Sequence, residues 1–150
     1  MDPLTARADD GGQALLIAVL GIGIAAAAIV GLRDAQERIL SDAHARRAAE
    51  AAAEAAGAAL ADAQVALILG LRDASGRPRS LARRTEITAL VADPAVAEAA
   101  LGAAREIAAE NRAGAPTDLS IRDAGPAIEV ILTVDRHRQR VAIGAACCHR

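Results

Sequence analysis

The stretch that most constrains this chain is Ala14 to Leu32, ALLIAVLGIGIAAAAIVGL. It holds nineteen residues with no charge and no side-chain hydrogen bonder. At about 1.5 Å of rise per residue, a helix of this length spans roughly 28 Å, close to the hydrocarbon thickness of a bilayer. Such a helix satisfies every backbone amide internally, as lipid requires. Its edges are sharp: Asp9 and Asp10 precede it, and Arg33 and Asp34 follow at once. The stretch reads as a single transmembrane helix over 14–32. Two rivals compete. A core helix of a soluble protein normally carries a polar face. A cleaved signal peptide, with Leu15 to Ile24 as its apolar region and Ala25-Ala26-Ala27 as the cleavage site, wants a more basic lead than Arg7 among Asp2, Asp9 and Asp10. Gly21, Gly23 and Ala25 to Ala28 also form a smooth surface on which another helix packs closely. Membrane lipid and helix-packing protein partners are therefore the expected company.

The chain has 150 residues, enough for one modest domain beyond the membrane. It is 53% hydrophobic yet contains no Phe, Tyr or Trp. A core of Ala, Leu, Ile and Val buries little area per residue, so elements must approach closely. All seventeen basic residues are Arg, and the net charge is −2. That balance offers no basic stripe for nucleic acid, and the lack of aromatics removes any stacking platform for bases.

Residues 1–13, with Pro3, Gly11 and Gly12, read as a disordered lead. Residues 33–72 are dense in strong helix formers and read as an Ala-rich stalk continuing the membrane helix. Its expected apolar face is built from Ile39, Leu40, Ala43, Ala49, Ala53, Ala56, Leu60, Val65, Leu67 and Ile68. Gly57 weakens this helix by about 1 kcal/mol without having to end it; a bend there or at Gly70 is the alternative. Residues 73–84 read as a basic loop, with Arg77, Arg79, Arg83 and Arg84. A solvated loop explains these charges more simply than a headgroup contact does.

Residues 85–146 read as a small α+β head. Thr85 to Val91 forms a short helical turn. Asp93 is then an N-cap with Pro94 at the first helical position, opening a helix to Asn111. Val96, Ala100, Leu101, Ala104, Ile107 and Ala108 share one face of it. From Asp118 the period changes to two. Leu119 and Ile121 alternate with Ser120 and Arg122, and Ile128, Val130, Leu132 and Val134 alternate with Glu129 and Thr133, as half-buried strands do. Arg136 to Arg140 reads as a charged turn before a third strand over Val141 to Ala145. The expected fold class is therefore α+β: a membrane helix, a long Ala-rich helix, and helices packed on a small antiparallel hairpin or three-stranded sheet.

Little in the chain suggests chemistry. Cys147 and Cys148, in the tail 147–150, have Cα atoms about 3.8 Å apart, below the usual disulfide span. They make a thiol site or an intersubunit disulfide in one reading and a frayed tail in the other. Zinc wants four ligands, and only His44 and His137 stand ready to join Cys147, Cys148 and His149. His44 on the Ala-rich helix and His137 among arginines read as surface residues. No paired carboxylates and no Gly-rich phosphate loop occur. No catalytic residue, cofactor, metal or small-molecule substrate is expected.

The run Gly12-Gln13-Ala14-Leu15-Leu16, the apolar helix after it and the continuation AHARRAAEAAAEAAGAAL (43–60) resemble the start of the TadE/TadG-like family. AREIAAENRAGA (104–115), followed by LSIRD and AIEVILTV, is similar to that family's small head. These are pilin-like membrane proteins of tight-adherence pilus systems, and the resemblance covers roughly residues 11 to 135. It implies a non-enzymatic component of pilus or envelope secretion assembly, with the head outside the cytoplasmic membrane. It also makes Gly12 a candidate processing site, although the fifth residue after it is Ile17 where processed pilin-like sequences often carry Glu. The alternative function is a membrane-tethered binding or sensor module with an α+β head. On charge alone, Arg33, Arg38, Arg46 and Arg47 against Arg7 favour a cytoplasmic C-terminal side, in conflict with the resemblance.

Overall fold

The computed structural model describes residues 7–145. It is α+β, with the order α1 (Arg7–Gly70), α2 (Arg84–Ala92), α3 (Pro94–Glu110), β1 (Pro116–Asp123), β2 (Ala127–Val134) and β3 (His137–Gly144). The three strands form one antiparallel sheet in the order β1-β2-β3. The chain divides into two compact units, Met1–Asp42 and Ala43–Arg150. The expected stalk from residue 43 onward thus belongs to the same unit as the head.

Helix α1 begins at Arg7, so residues 7–13 are helix where the sequence suggested a disordered lead. Nucleation is the costly step of helix formation. Once the apolar run has met it, extension by a turn or two is cheap enough to carry the helix through Gly11 and Gly12. Gly57 does not interrupt α1, which ends at Gly70. There the Arg72 guanidinium donates from Nη1 to the carbonyls of Leu69 and Leu71, both at 2.9 Å. The bond to Leu69 satisfies an acceptor that the helix end leaves open.

In the second unit, one layer of helices covers one face of the sheet. Ala49, Ala52, Ala53, Ala56 and Leu60 of α1 are fully buried in a single core. They join Ile87 of α2, Ala100, Ala104 and Ala108 of α3, and Ile128, Val130, Leu132 and Val134 of β2. The alternation expected in β2 is therefore its buried face. The aromatic-free composition shows its consequence at Gly57, where an added Cβ would lie 3.1 Å from Val141 Cγ1 and 3.8 Å from Ile143 Cγ2. Helix and sheet approach closely because small residues line the contact.

The expected stalk face is only half right. Ala49, Ala53, Ala56 and Leu60 are buried, but Ile39, Leu40 and Val65 are exposed. Val65 is five residues beyond Leu60, about 140° around the helix, and so points away from the sheet. The expected turn over Arg136 to Arg140 is also shorter. Only Asp135 and Arg136 separate β2 from β3, and His137 to Arg140 pair with Val134 to Ile131. Asp135 adopts φ 53, a left-handed value that Asp tolerates in tight turns. At the other hairpin, Gly125 has φ 88, and Asp123 Oδ1 accepts from its amide at 3.1 Å.

The Asp93-Pro94 start of α3 is as expected. Asp93 Oδ1 accepts from the Ala95 amide at 2.9 Å. Asp93→Ala should cost about 1 kcal/mol and lower the melting temperature of the full chain in detergent by a few degrees. An unchanged melting temperature would show that this cap contributes nothing.

Candidate functional site

The largest exposed apolar surface lies on α1. Leu15, Leu16, Ile17, Val19, Leu20, Ile22, Ile24, Ile29, Val30 and Leu32 are each more than 60% exposed. None of the most apolar stretch of this helix is buried within the molecule. A core helix of a soluble domain would be mostly covered. Exposure of this extent on every side suits a solvent of hydrocarbon rather than water. By length and composition α1 is able to cross a membrane. Gly12 sits near the start of this surface, exposed, with open space around it. It lies inside helix, with Ile17 a turn and a half further on.

The segment between α1 and α2 is built by turn chemistry. Asp73 Oδ1 accepts from the Ser75 amide, the Ser75 hydroxyl and the Arg77 amide, each at 2.8 Å. Arg72 and Pro78 bridge across the turn, and Gly76 supplies φ 79. Of the arginines of this basic loop, Arg79 and Arg84 are engaged through their side chains, and Arg77 and Arg83 through their backbone amides. Arg79 Nη1 donates to Glu86 Oε1 at 2.9 Å. Glu86 Oε2 accepts from the Arg83 amide at 2.5 Å, closing the start of α2. Arg84 pairs with Asp123 at 2.5 Å and donates to the Gly125 carbonyl, tying α2 to the β1–β2 turn. These partners support the simpler reading of the loop.

Two carboxyls here titrate below the ordinary carboxylate range. For Asp73 the cause is first the Ser75 hydroxyl and then the Arg77 amide. For Glu86 it is first the Arg83 amide and then the Arg79 guanidinium. A carboxyl whose folded pKa is depressed stabilises the fold above its unfolded pKa. That contribution disappears as the pH falls through the folded value. The melting temperature should therefore fall in acid, from the ordinary carboxylate range downward, and more steeply for wild type than for Asp73→Asn/Glu86→Gln. Parallel acid limbs in the two proteins would contradict this assignment.

His44 is exposed on α1, as expected of a surface histidine, and its Nε2 lies 3.0 Å from the Asn111 carbonyl oxygen. That contact joins α1 to the end of α3, a link the sequence did not reveal. His137 lies in β3, half-buried, rather than in a turn. The two histidines are thus on different elements. Cys147, Cys148 and His149 lie outside the described residues. Among the described residues, no group of three or more His, Cys, Asp or Glu side chains is placed to hold a metal.

The face of the sheet turned away from the helices was not singled out by sequence reasoning. Cross-strand neighbours Ser120, Ile131 and Arg140 share it, as do Arg122, Glu129 and Ala142. Arg138, opposite Thr133, extends it. Arg122, Arg138, Arg140 and Ala142 are exposed, and Arg140 pairs with Glu129. Ile131 is only 8% exposed at the centre of this face. Long arginine stems beside an apolar centre cover it while their charged ends stay in water. The clue in the sequence was the period-two spacing of Arg138 and Arg140 against Val141 and Ile143, hidden by the expectation of a charged turn.

No protein-family model, no curated protein and no solved structure matches the chain.

Proposed function

We propose that this chain is a non-enzymatic, membrane-anchored, pilin-like component of a pilus or envelope secretion assembly. The observation that carries the reading is the division of labour along α1. Its N-terminal part presents apolar side chains to the surroundings on all sides, and its part beyond Ala48 is built into a small α+β head by a stripe of alanines. A chain of this construction inserts one end of a helix into lipid and uses the other end as the spine of a folded head. The resemblance of residues 11–135 to the TadE/TadG-like family supports the same assignment, and with it a head outside the cytoplasmic membrane. On this reading the partners are membrane lipid and the helices of other envelope components.

Two measurements test it. Deletion of the gene should abolish surface filaments or the secretion that depends on the assembly, with restoration by the plasmid-borne gene. Unchanged filaments and secretion would sink the assembly role. For topology, an impermeant maleimide should label Cys147 or Cys148 in intact cells, after reduction and after permeabilisation of any outer membrane. Labelling only after lysis of the inner membrane would place the head in the cytoplasm and remove the pilin-like reading with it.

A further inference from the structure

The second unit carries two faces of opposite charge on opposite sides. On the open face of the sheet, Arg122, Arg138 and Arg140 surround the nearly buried Ile131; Glu129 pairs with Arg140, and the Asp118 carboxylate adjoins the Thr117 hydroxyl at the edge of the Arg138 row. On the outward side of α1, Glu50, Glu54, Ala58, Asp62, Val65 and Leu69 are all exposed. They recur at three- and four-residue intervals and so form one stripe along the helix. At 100° per residue the stripe centres about 170° from the buried Ala49, Ala52, Ala53, Ala56 and Leu60. From Ala48 to Gly70 the helix contains no basic residue.

We propose that these two faces are the halves of one interface, the open sheet face of one copy seating on the outward α1 stripe of a second copy. Charge complementarity selects this occupant. The arginine-rich face needs an acidic partner with an apolar element for Ile131. The same chain presents three acids spaced along a helix, with Ala58 between them and Val65 and Leu69 beyond. The dimensions agree. Arg122 and Arg140 lie two strands apart and two residues out of register, about 12 Å, and Glu54 and Asp62 are separated by about 12 Å of helix. Because the faces differ and lie on opposite sides, the contact is head-to-tail. Such contacts propagate into rows or rings rather than closing as a two-fold dimer. The inference deepens the assembly reading and rests on it, since anchoring in one bilayer concentrates the copies that must meet.

The test uses the full chain in nanodiscs, with Cys147→Ser and Cys148→Ser as background. Ala142→Cys marks the sheet face and Ala58→Cys the stripe, leaving every charge in place. Mild oxidation of a mixture should give the mixed disulfide at least tenfold in excess of either homodimer. Arg138→Glu/Arg140→Glu in the Ala142→Cys chain should abolish that link, and Glu54→Arg/Asp62→Arg in the Ala58→Cys chain should restore it. Salt near 1 M, where the screening length is about 3 Å, should weaken the wild-type link. Predominant Ala142→Cys homodimers would overturn the proposal in favour of sheet-to-sheet pairing. No link at all would overturn it too. A deletion strain that still makes filaments sinks the assembly role without touching the cross-link, so the two failures are separable.

Discussion

Ile24→Arg should release the chain from the membrane. Ile24 lies within the uncharged run and is 62% exposed on α1. An arginine near the centre of a spanning helix costs about 2.5–3.5 kcal/mol of insertion free energy, on the order of a hundredfold in the inserted fraction. The surrounding Gly21, Gly23 and Ala25 to Ala28 give this helix a smaller margin than a Leu-rich one. Alkaline extraction of membranes should therefore move Ile24→Arg into the soluble fraction and leave Ile39→Arg, past the charged edge at Arg33, with the pellet. Retention of both variants would refute the assignment of the spanning segment.

Leu60→Ala should be the most damaging single truncation on α1. Leu60 is the largest fully buried side chain of α1, the other fully buried ones being alanines, while Leu67 packs against the core only half-buried. Truncation of such a residue costs about 2–5 kcal/mol. A domain of this size has only about 5–15 kcal/mol in total. The melting temperature in detergent should drop by on the order of 10–20 °C. Leu69→Ala, at a position 70% exposed, should stay within about 0.5 kcal/mol of wild type. Equal effects at the two positions would mean that α1 does not pack on the sheet by the stripe described.

Some of this architecture was legible in the residues. Asp93 before Pro94 announces a helix start because the acid supplies an acceptor and the proline lacks the amide that would go unsatisfied. Ile128 to Val134 announces a strand buried on one face because its alternation has a single period. The uncharged run from Ala14 to Leu32 announces the long exposed apolar helix. The misses share a cause, which is weak contrast between faces. Along 33–72 alanine appears on every side of the helix, so periodicity alone does not decide which turn of it meets the sheet, and Ile39, Leu40 and Val65 read as part of one apolar face with the alanines. In β3 the inward residues at the start are His137 and Gln139, as polar as their outward neighbours Arg138 and Arg140. No alternation is visible until Val141. The link from His44 to the Asn111 carbonyl spans 67 residues of sequence and has no local signature at all. Gly12 lies on exposed helix. The opposed charged faces needed both the sheet register and the rotation of α1 before they came into view.

The alanine seam has a thermodynamic consequence. Ala and Gly have no rotamers to lose, whereas an ordered leucine gives up about 0.5–1 kcal/mol of side-chain entropy. Ala49, Ala52, Ala53, Ala56 and Gly57 on α1, and Ala100, Ala104 and Ala108 on α3, thus dock without side-chain freezing. The seam gains little area per residue but gives almost nothing back in disorder. It also lacks interlocking knobs, so a slide of α1 by one turn sets alanine where alanine was, from Ala49 to Ala53 or from Ala52 to Ala56. Along this contact the helix behaves as a smooth rail, and Leu60 is the detent that fixes where it stops.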